Sequence, residues 1–242
     1  MEYTKYPDMV QFEKGLSELE ITLSDIQKQQ FVDYYELLVE WNKVMNLTAI
    51  TDFSEVVVKH FIDSLSIVKT VKLEKEKILD LGTGAGFPGL PIKIAFPETD
   101  ILLLDSLNKR IKFLDEVIIR LNLKKIKTLH GRAEDVAREE GCREAFDITT
   151  SRAVAKLSTL SEYCLPYVKK GGFFIPYKSG EIEEELSQAE RALHLLGAEV
   201  ESVKRFKLPA SDIERTLILI RKTKATPKIY PRGAGKPTKE PL

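Results

Sequence analysis

The segment Asp80-Leu81-Gly82-Thr83-Gly84-Ala85-Gly86-Phe87-Pro88-Gly89 constrains this chain more than any other. It follows directly on a short apolar run, residues 78–81, and opens a stretch over about 90–96 that reads as a helix. Glycines at a strand-to-helix turn let the backbone bend tightly and approach a ligand with no Cβ atoms in the way. Such a turn belongs at the C-terminal end of a strand, where open α/β sheets bind their ligands.

The rest of the chain is organised around that turn. The first seventy residues read as helices, over about 10–20, 22–44 and 53–70, with no strand-like alternation before Lys77. In the second of these, Ile26, Phe31, Tyr34, Tyr35, Leu38, Trp41 and Val44 recur at three- and four-residue steps and predict one apolar face, with Ser24 as its N-cap. After Lys77 apolar strands alternate with helices. Strands are expected at 78–81, 101–104, 127–130, 146–150 and 172–177, and helices at 90–96, 109–121, 156–168 and 182–196. This alternation predicts a parallel sheet covered on both faces. Two final β-rich runs, 199–207 and 216–222, joined through Pro209 and Asp212, predict an antiparallel hairpin at one edge. The division expected is an N-terminal helical segment (1–72), an α/β domain (73–222) and a basic tail (223–242).

The glycine spacing selects the cofactor. A dinucleotide fingerprint is G-x-G-x-x-G, but after Gly82 and Gly84 its third slot is Phe87. The form present, D-x-G-x-G-x-G, resembles the S-adenosylmethionine loop. The fold expected is therefore a class I S-adenosylmethionine-dependent methyltransferase: a Rossmann-like doubly wound sheet with an antiparallel C-terminal hairpin, preceded by helices. Asp105, at the end of the second strand, stands where an acid accepts hydrogen bonds from both ribose hydroxyls. Gly131-Arg132-Ala133-Glu134-Asp135 follows the third strand and is expected beside the adenine. Thr149-Thr150-Ser151-Arg152-Ala153 closes the fourth, where the reactive methyl should sit.

Composition excludes several classes. In 242 residues, 37 basic side chains balance 37 acidic ones, so net charge alone does not point to nucleic acid. Cys142 and Cys164 are far apart and have no metal-ligand spacing; they read as inert thiols in a reducing compartment. The N-terminus has no secretory apolar region and no stretch is long and apolar enough to span a bilayer. A cytoplasmic protein without membrane or metal partners is expected.

The reaction is narrowed by what the loop after the fourth strand lacks. It has no Asn-Pro-Pro-Tyr-like tetrad of exocyclic amine methylation and no cysteine nucleophile of cytosine C5 methylation, and no Lys-Asp-Lys-Glu set of ribose methylation is evident. Arg152 remains, without an obvious general base. A target with a free lone pair suits such a site, and guanine N7 is one. Transfer to it needs alignment and exclusion of water more than proton removal.

Taken together the motifs resemble the glucose-inhibited division protein B family of bacterial small-subunit ribosomal RNA guanine-N7 methyltransferases. The matching residues are Trp41-Asn42 with Asn46-Leu47-Thr48, His60 with Asp63-Ser64-Leu65, the whole Asp80–Gly89 loop, Gly131-Arg132-Ala133-Glu134, Ser151-Arg152-Ala153, and Tyr230-Pro231-Arg232 with Gly235 and Pro237. The resemblance implies methylation of one guanosine in a loop of that RNA. It implies cofactor contacts at Gly82, Phe87, Asp105, Ser106, Leu107, Ala133, Glu134 and Arg152, to which the loop reading adds Gly84 and Gly86. Asp105 stands where a glutamate is also common in the family. Asn46 and His60 would face the substrate and, with Arg152, form the expected catalytic set. On the residues alone, Asn46 equally reads as a helix cap and His60 as a half-buried histidine; Trp41 reads as core. The sequence assigns no individual role to Asn46, His60 or Lys178, and none to His130 or His194.

From Arg221 onward Lys222, Lys224, Lys228, Arg232, Lys236 and Lys239 face Glu240 alone among acids. Prolines and glycines are expected to keep this tail irregular, with its lysines neutralising RNA phosphates and Tyr230 and Arg232 stacking on or pairing with RNA. A solvated tail is the competing reading. The partner expected is small-subunit ribosomal RNA or the small ribosomal subunit, bound by a monomer. A small-molecule methyltransferase and a non-catalytic ribosome-assembly factor are the alternatives.

Overall fold

A computed structural model describes residues 9–152 and 155–242. Helix α1 (Met9–Glu18) is followed by α2 (Asp25–Met45). Ser24 caps α2 as expected: its hydroxyl accepts from Gln27 N while the Gln27 side chain returns to Ser24 N, a reciprocal capping box. The buried face of α2 is Phe31, Val32, Tyr34, Leu37 and Leu38. Ile26 and Val44, expected on that face, are exposed, because they lie at the two ends of the helix beyond the elements it packs against.

The third helical stretch is continuous but not uniform. It runs as α3 (Phe53–Val56), a π-helical turn (Val57–Ile62), α4 (Asp63–Leu65) and a 3₁₀ turn (Ser66–Lys69). Val56, Val57, Val58, Phe61 and Ile62 are all buried, so this segment is wrapped nearly all round by neighbours. The wide π turn re-aims side chains at a fixed place on the helix, and His60 sits within it. Phe12, Phe31 and Phe61 pack edge to face at centroid distances of 4.9–6.1 Å. Each such fully buried ring contributes on the order of 1.5–3 kcal/mol.

The sheet follows. Strands β1 (Lys77–Leu81), β2 (Asp100–Asp105), β3 (Ile126–His130), β4 (Phe146–Ser151) and β5 (Val168–Lys178) are parallel; β6 (Ala198–Lys207) and β7 (Glu214–Lys222) form the expected hairpin. The order is β3-β2-β1-β4-β5-β7-β6, so β7 joins the hairpin to β5 in antiparallel register. Between them run α5 (Gly89–Ala95), α6 (Asn108–Arg120), α7 (Ala133–Val136), α8 (Leu157–Cys164) with a 3₁₀ turn at Leu165–Tyr167, and α9 (Glu183–Leu196). A last short helix, α10 (Lys236–Lys239), lies near the C-terminus.

Strand residues alternate between two cores, as a two-faced sheet requires. Ile78, Ile175, Leu217 and Leu219 point to the face covered by α1, α2, α5 and α6; Leu79, Phe174, Ile218 and Ile220 point to the face covered by α8 and α9. The N-terminal helices thus share one core with the sheet. The strand order reverses between β1 and β4, and the crevice at their C-terminal ends is where this fold binds ligands.

Two expectations are corrected. Strand β5 begins at Val168, not Gly172, because Val168 pairs with Phe146 before a register shift that the Lys169–Gly172 sequence disguises as a turn. The tail is not irregular throughout, since α10 forms, nor is it a free end. Tyr230 is buried, and Arg232 engages the fully buried Glu162.

Candidate active site

The glycine loop is organised by the acid that precedes it. Asp80 is fully buried, and its Oδ2 accepts from Thr83 Oγ1 at 2.6 Å and from Gly89 N at 2.8 Å, pinning both ends of the loop. Burial pushes this carboxyl up to about 6 against those hydrogen bonds. Tyr34, from α2, donates its hydroxyl to Ala85 O at 2.5 Å. Sequence periodicity marked Tyr34 as core; its hydroxyl also ties the N-terminal helices to the loop.

The three glycines differ in what they face. Gly82 and Gly84 have φ of +70° and +63°, and a Cβ at Gly82 would meet nothing within 4 Å. Gly82 opens on a cavity of about 420 Å³, within the range of small-molecule sites. At Gly86 a Cβ would lie 2.3 Å from Leu90 Cδ1 and 2.8 Å from the Tyr34 hydroxyl. Its lack of a side chain serves packing rather than ligand approach, which corrects the expectation that all three glycines clear space for the cofactor.

That cavity is walled by Gly82, Asp105, Ser106, Leu107, Ala133 and Glu134, six of the expected cofactor residues, brought together from the ends of three strands. Asp105 is buried; Oδ2 accepts from Gly84 N at 2.9 Å and Oδ1 from Leu107 N at 2.9 Å, with Arg110 at 3.2 Å from Oδ2. The carboxylate is thus held facing the loop across β1 and β2, where its remaining lone pairs can accept hydroxyl donors. The open backbone at Gly82 and the two fixed carboxylates, Asp105 and Glu134, fit a nucleoside cofactor. Tyr163 and Gly235, which the sequence did not mark as site residues, line the same cavity. His130 only reaches Ser106 O, at 3.1 Å.

Phe87 and Arg152 are not part of that wall. They belong to a second cluster with His60. The His60 ring stacks on Phe87, and the Arg152 guanidinium lies over Phe87 at 5.0 Å from its centroid. Arg152 donates to Lys59 O (2.9 Å), to Asp63 Oδ2 (3.0 Å) and, through Nη2, to His60 Nδ1 (3.0 Å). Nδ1 stands between opposed partners, the Arg152 guanidinium, which can only donate, and Lys59 O at 3.1 Å, which can only accept, while Nε2 faces the Thr48 hydroxyl at 3.0 Å. Burial, and then the charge of Arg152, lower the His60 pKa to about 3.

Asp63, 1% exposed, carries a second arginine as well: Arg215 of β7 approaches it with Nε at 2.7 Å and Nη2 at 3.0 Å. Arg152 and Arg215 then line a cavity of about 460 Å³ together with Lys156, Lys178 and Tyr177, where Glu185 is the one acid among the described residues of the wall. Lys178 pairs with Glu185 at 2.6 Å. Sequence reasoning missed Arg215 because nothing local in β7 announces a partner 152 positions away. Asn46 does cap α2, in left-handed conformation with φ of 48°, and is exposed; its side chain makes no hydrogen bond among the described residues. The hydrogen bonds of its motif fall instead to Asn42, which accepts from Thr48 N, and to Thr48, which meets His60. Ala153 lies outside the described residues.

A reversed-order sheet with an acid–glycine loop after β1 and an acid closing β2 defines a class I S-adenosylmethionine-dependent methyltransferase. Solved structures share the architecture: M. jannaschii TYW2 in complex with AdoMet (TM-score 0.51, 13% identity, 63% of this chain and 71% of that one) and the [4+2]-cyclase SpnF (TM-score 0.56, 14% identity, 84% and 98%). The family model described as rRNA small subunit methyltransferase G matches residues 27–217, and the chain belongs to that family. Proteins named ribosomal RNA small subunit methyltransferase G from Lachnoclostridium phytofermentans and Clostridium tetani are 58% and 48% identical to it, over 96% of both chains and over 98% and 99% respectively.

Proposed function

We propose that the protein transfers the methyl group of S-adenosylmethionine to N7 of one guanosine in small-subunit ribosomal RNA, acting as a monomer in the cytoplasm. The observation that carries this reading is the pairing of two cavities at the same end of the sheet. One is edged by Asp105 and Glu134, the other lined by Arg152, Lys156, Lys178 and Arg215. Four cations against two acids, Glu185 in the wall and Asp63 beneath the arginines, leave an excess of positive charge that suits a polyanionic substrate. No described helix is long and apolar enough to cross a membrane.

When bound, S-adenosylmethionine supplies a sulfonium-borne methyl group, and N7 attack forms the N–C bond as the C–S bond breaks, leaving S-adenosylhomocysteine and a cationic purine. Asp105 and Glu134 orient the nucleoside part. His60 is neutral and its Nδ1 is occupied by Arg152, while Asp63 is neutralised by two arginines. Neither is poised to accept a proton, which suits an acceptor nitrogen that carries none. Their work is to hold the Arg152 guanidinium in one orientation beside the substrate cavity.

Incubation with methyl-labelled cofactor tests the reading. Label should enter deproteinised small-subunit RNA or intact small subunits and leave low-molecular-weight material unlabelled. Label in small molecules alone would identify a small-molecule methyltransferase, and no incorporation would leave an assembly factor.

A further inference from the structure

The C-terminal residues are clamped onto the cofactor side of the molecule. Arg232 grips Glu162, which has no exposed surface, through Nε at 2.9 and 3.1 Å and Nη2 at 2.6 Å, and its backbone N–H adds a contact at 2.7 Å. Two arginines hold the preceding turn: Arg138 donates to Pro231 O at 2.5 Å and Arg143 to Tyr230 O at 3.0 Å. Beyond it, Thr159 donates to Pro237 O at 3.2 Å, and the Tyr163 and Thr238 hydroxyls meet at 3.0 Å.

This clamp delivers Gly235 to the cavity wall. With φ of +75°, in the region that favours glycine, its N–H donates to Glu134 Oε1 at 2.9 Å, and Gly235 lines the cavity with Tyr163. Glu134 sits on α7, a helix of four residues, which by itself fixes a side chain weakly. A carboxylate gripped at one oxygen keeps the other for a ligand donor and can present it in only one direction. Glu134 lines the same cavity as Gly82 and Asp105, and the exocyclic amine of a nucleoside's adenine is such a donor.

We propose that residues 230–240 form a strap that completes the adenine side of the cofactor cavity, with the Arg232–Glu162 pair fastening it and the Gly235 N–H setting Glu134 to accept the adenine amine. The proposal rests on the cofactor reading of that cavity, and it replaces RNA contact as the role of Tyr230 and Arg232. Lys228, Lys236 and Lys239 remain exposed.

Calorimetry on the full chain tests it with two ligands, S-adenosylhomocysteine and S-inosylhomocysteine, which has a carbonyl in place of the amine. The parent should prefer the first. Arg232→Ala should weaken it by roughly tenfold or more, the worth of one charge-assisted hydrogen bond, and leave S-inosylhomocysteine within twofold. Arg232→Lys, which keeps the charge but loses the fork, should lose less. If melting shows Arg232→Ala unfolded, Arg232→Lys and Glu134→Gln carry the comparison, and adding Arg232→Lys to Glu134→Gln should cost nothing further. Equal weakening of both ligands would reduce the strap to a general structural element, and unchanged S-adenosylhomocysteine affinity would remove it from the site; either overturns the proposal. A parent that binds neither ligand would overturn the cofactor reading itself.

Discussion

His60 lies against Phe87, ring centroids 4.3 Å apart and planes 23° from parallel. The contact joins the π turn of the N-terminal helices to the glycine loop. The edge of the same imidazole receives Arg152 from the end of β4, so three separate parts of the chain converge on one neutral ring.

That neutrality has a consequence for stability. An unfolded histidine titrates near 6.5, whereas burial and Arg152 hold His60 down to about 3 in the folded protein. As pH falls through 6.5 the unfolded state takes up the proton first. Stability fully present above about pH 6.5 is therefore lost as pH falls toward 3, by at most about 1.4 kcal/mol per pH unit. His60→Gln removes this contribution. Urea unfolding at pH 7, 6 and 5 should show the parent's advantage over the variant shrinking as pH falls; a constant difference would contradict the assignment.

The glycine loop should respond position by position. Gly86→Ala forces a Cβ into Leu90 and Tyr34 at a φ of +100°, and should destabilise the fold by about 1–3 kcal/mol. Gly82→Ala meets no protein atom and carries only backbone strain, of order 1 kcal/mol, but projects toward the cofactor cavity. Thermal melting and S-adenosylhomocysteine titration should therefore rank the two variants in opposite orders. The same order in both measurements would mean the two glycines do one job.

Asp63 should matter to the substrate side and not to the cofactor side. Asp63→Asn leaves Arg152 and Arg215, each with a side chain 16% exposed, without their shared counter-charge. A loss of about 3 kcal/mol in unfolding free energy is expected, the scale for removing one partner of a buried ion pair. RNA methylation should fall steeply while S-adenosylhomocysteine affinity in the folded variant stays within a few-fold. Lost cofactor affinity with methylation retained would reverse the assignment of the two cavities.

The cofactor half of this site was legible because its determinants are local. Gly82 and Asp105 lie at or just past strand ends, where spacing places them, and Glu134 follows β3 closely in a motif that the family resemblance marks. The hairpin and the N-cap at Ser24 were legible for the same reason. What escaped was set by contacts remote in sequence. Arg215 of β7 meets Asp63 of α4 across 152 positions, and Gly235 meets Glu134 across 101. A proline- and glycine-rich tail looks free when its carbonyl and N–H partners belong to side chains such as Arg138 and Arg143 that read as ordinary surface charges. Gly86 looked like its neighbours because spacing does not reveal which side of a loop faces the ligand.

A methyl group on guanine N7 in small-subunit RNA leaves a chemical mark that can be read directly. N7-methylguanine carries a positive ring, which makes that nucleotide selectively reducible and then cleavable by aniline. RNA from cells lacking this protein, incubated with the purified protein and S-adenosylmethionine, should break at one new guanosine, and Arg152→Ala should abolish the break. Methyl incorporation without any aniline-sensitive guanosine would contradict N7 transfer, because the acceptor would then be another atom and the site would need a base to take up its proton.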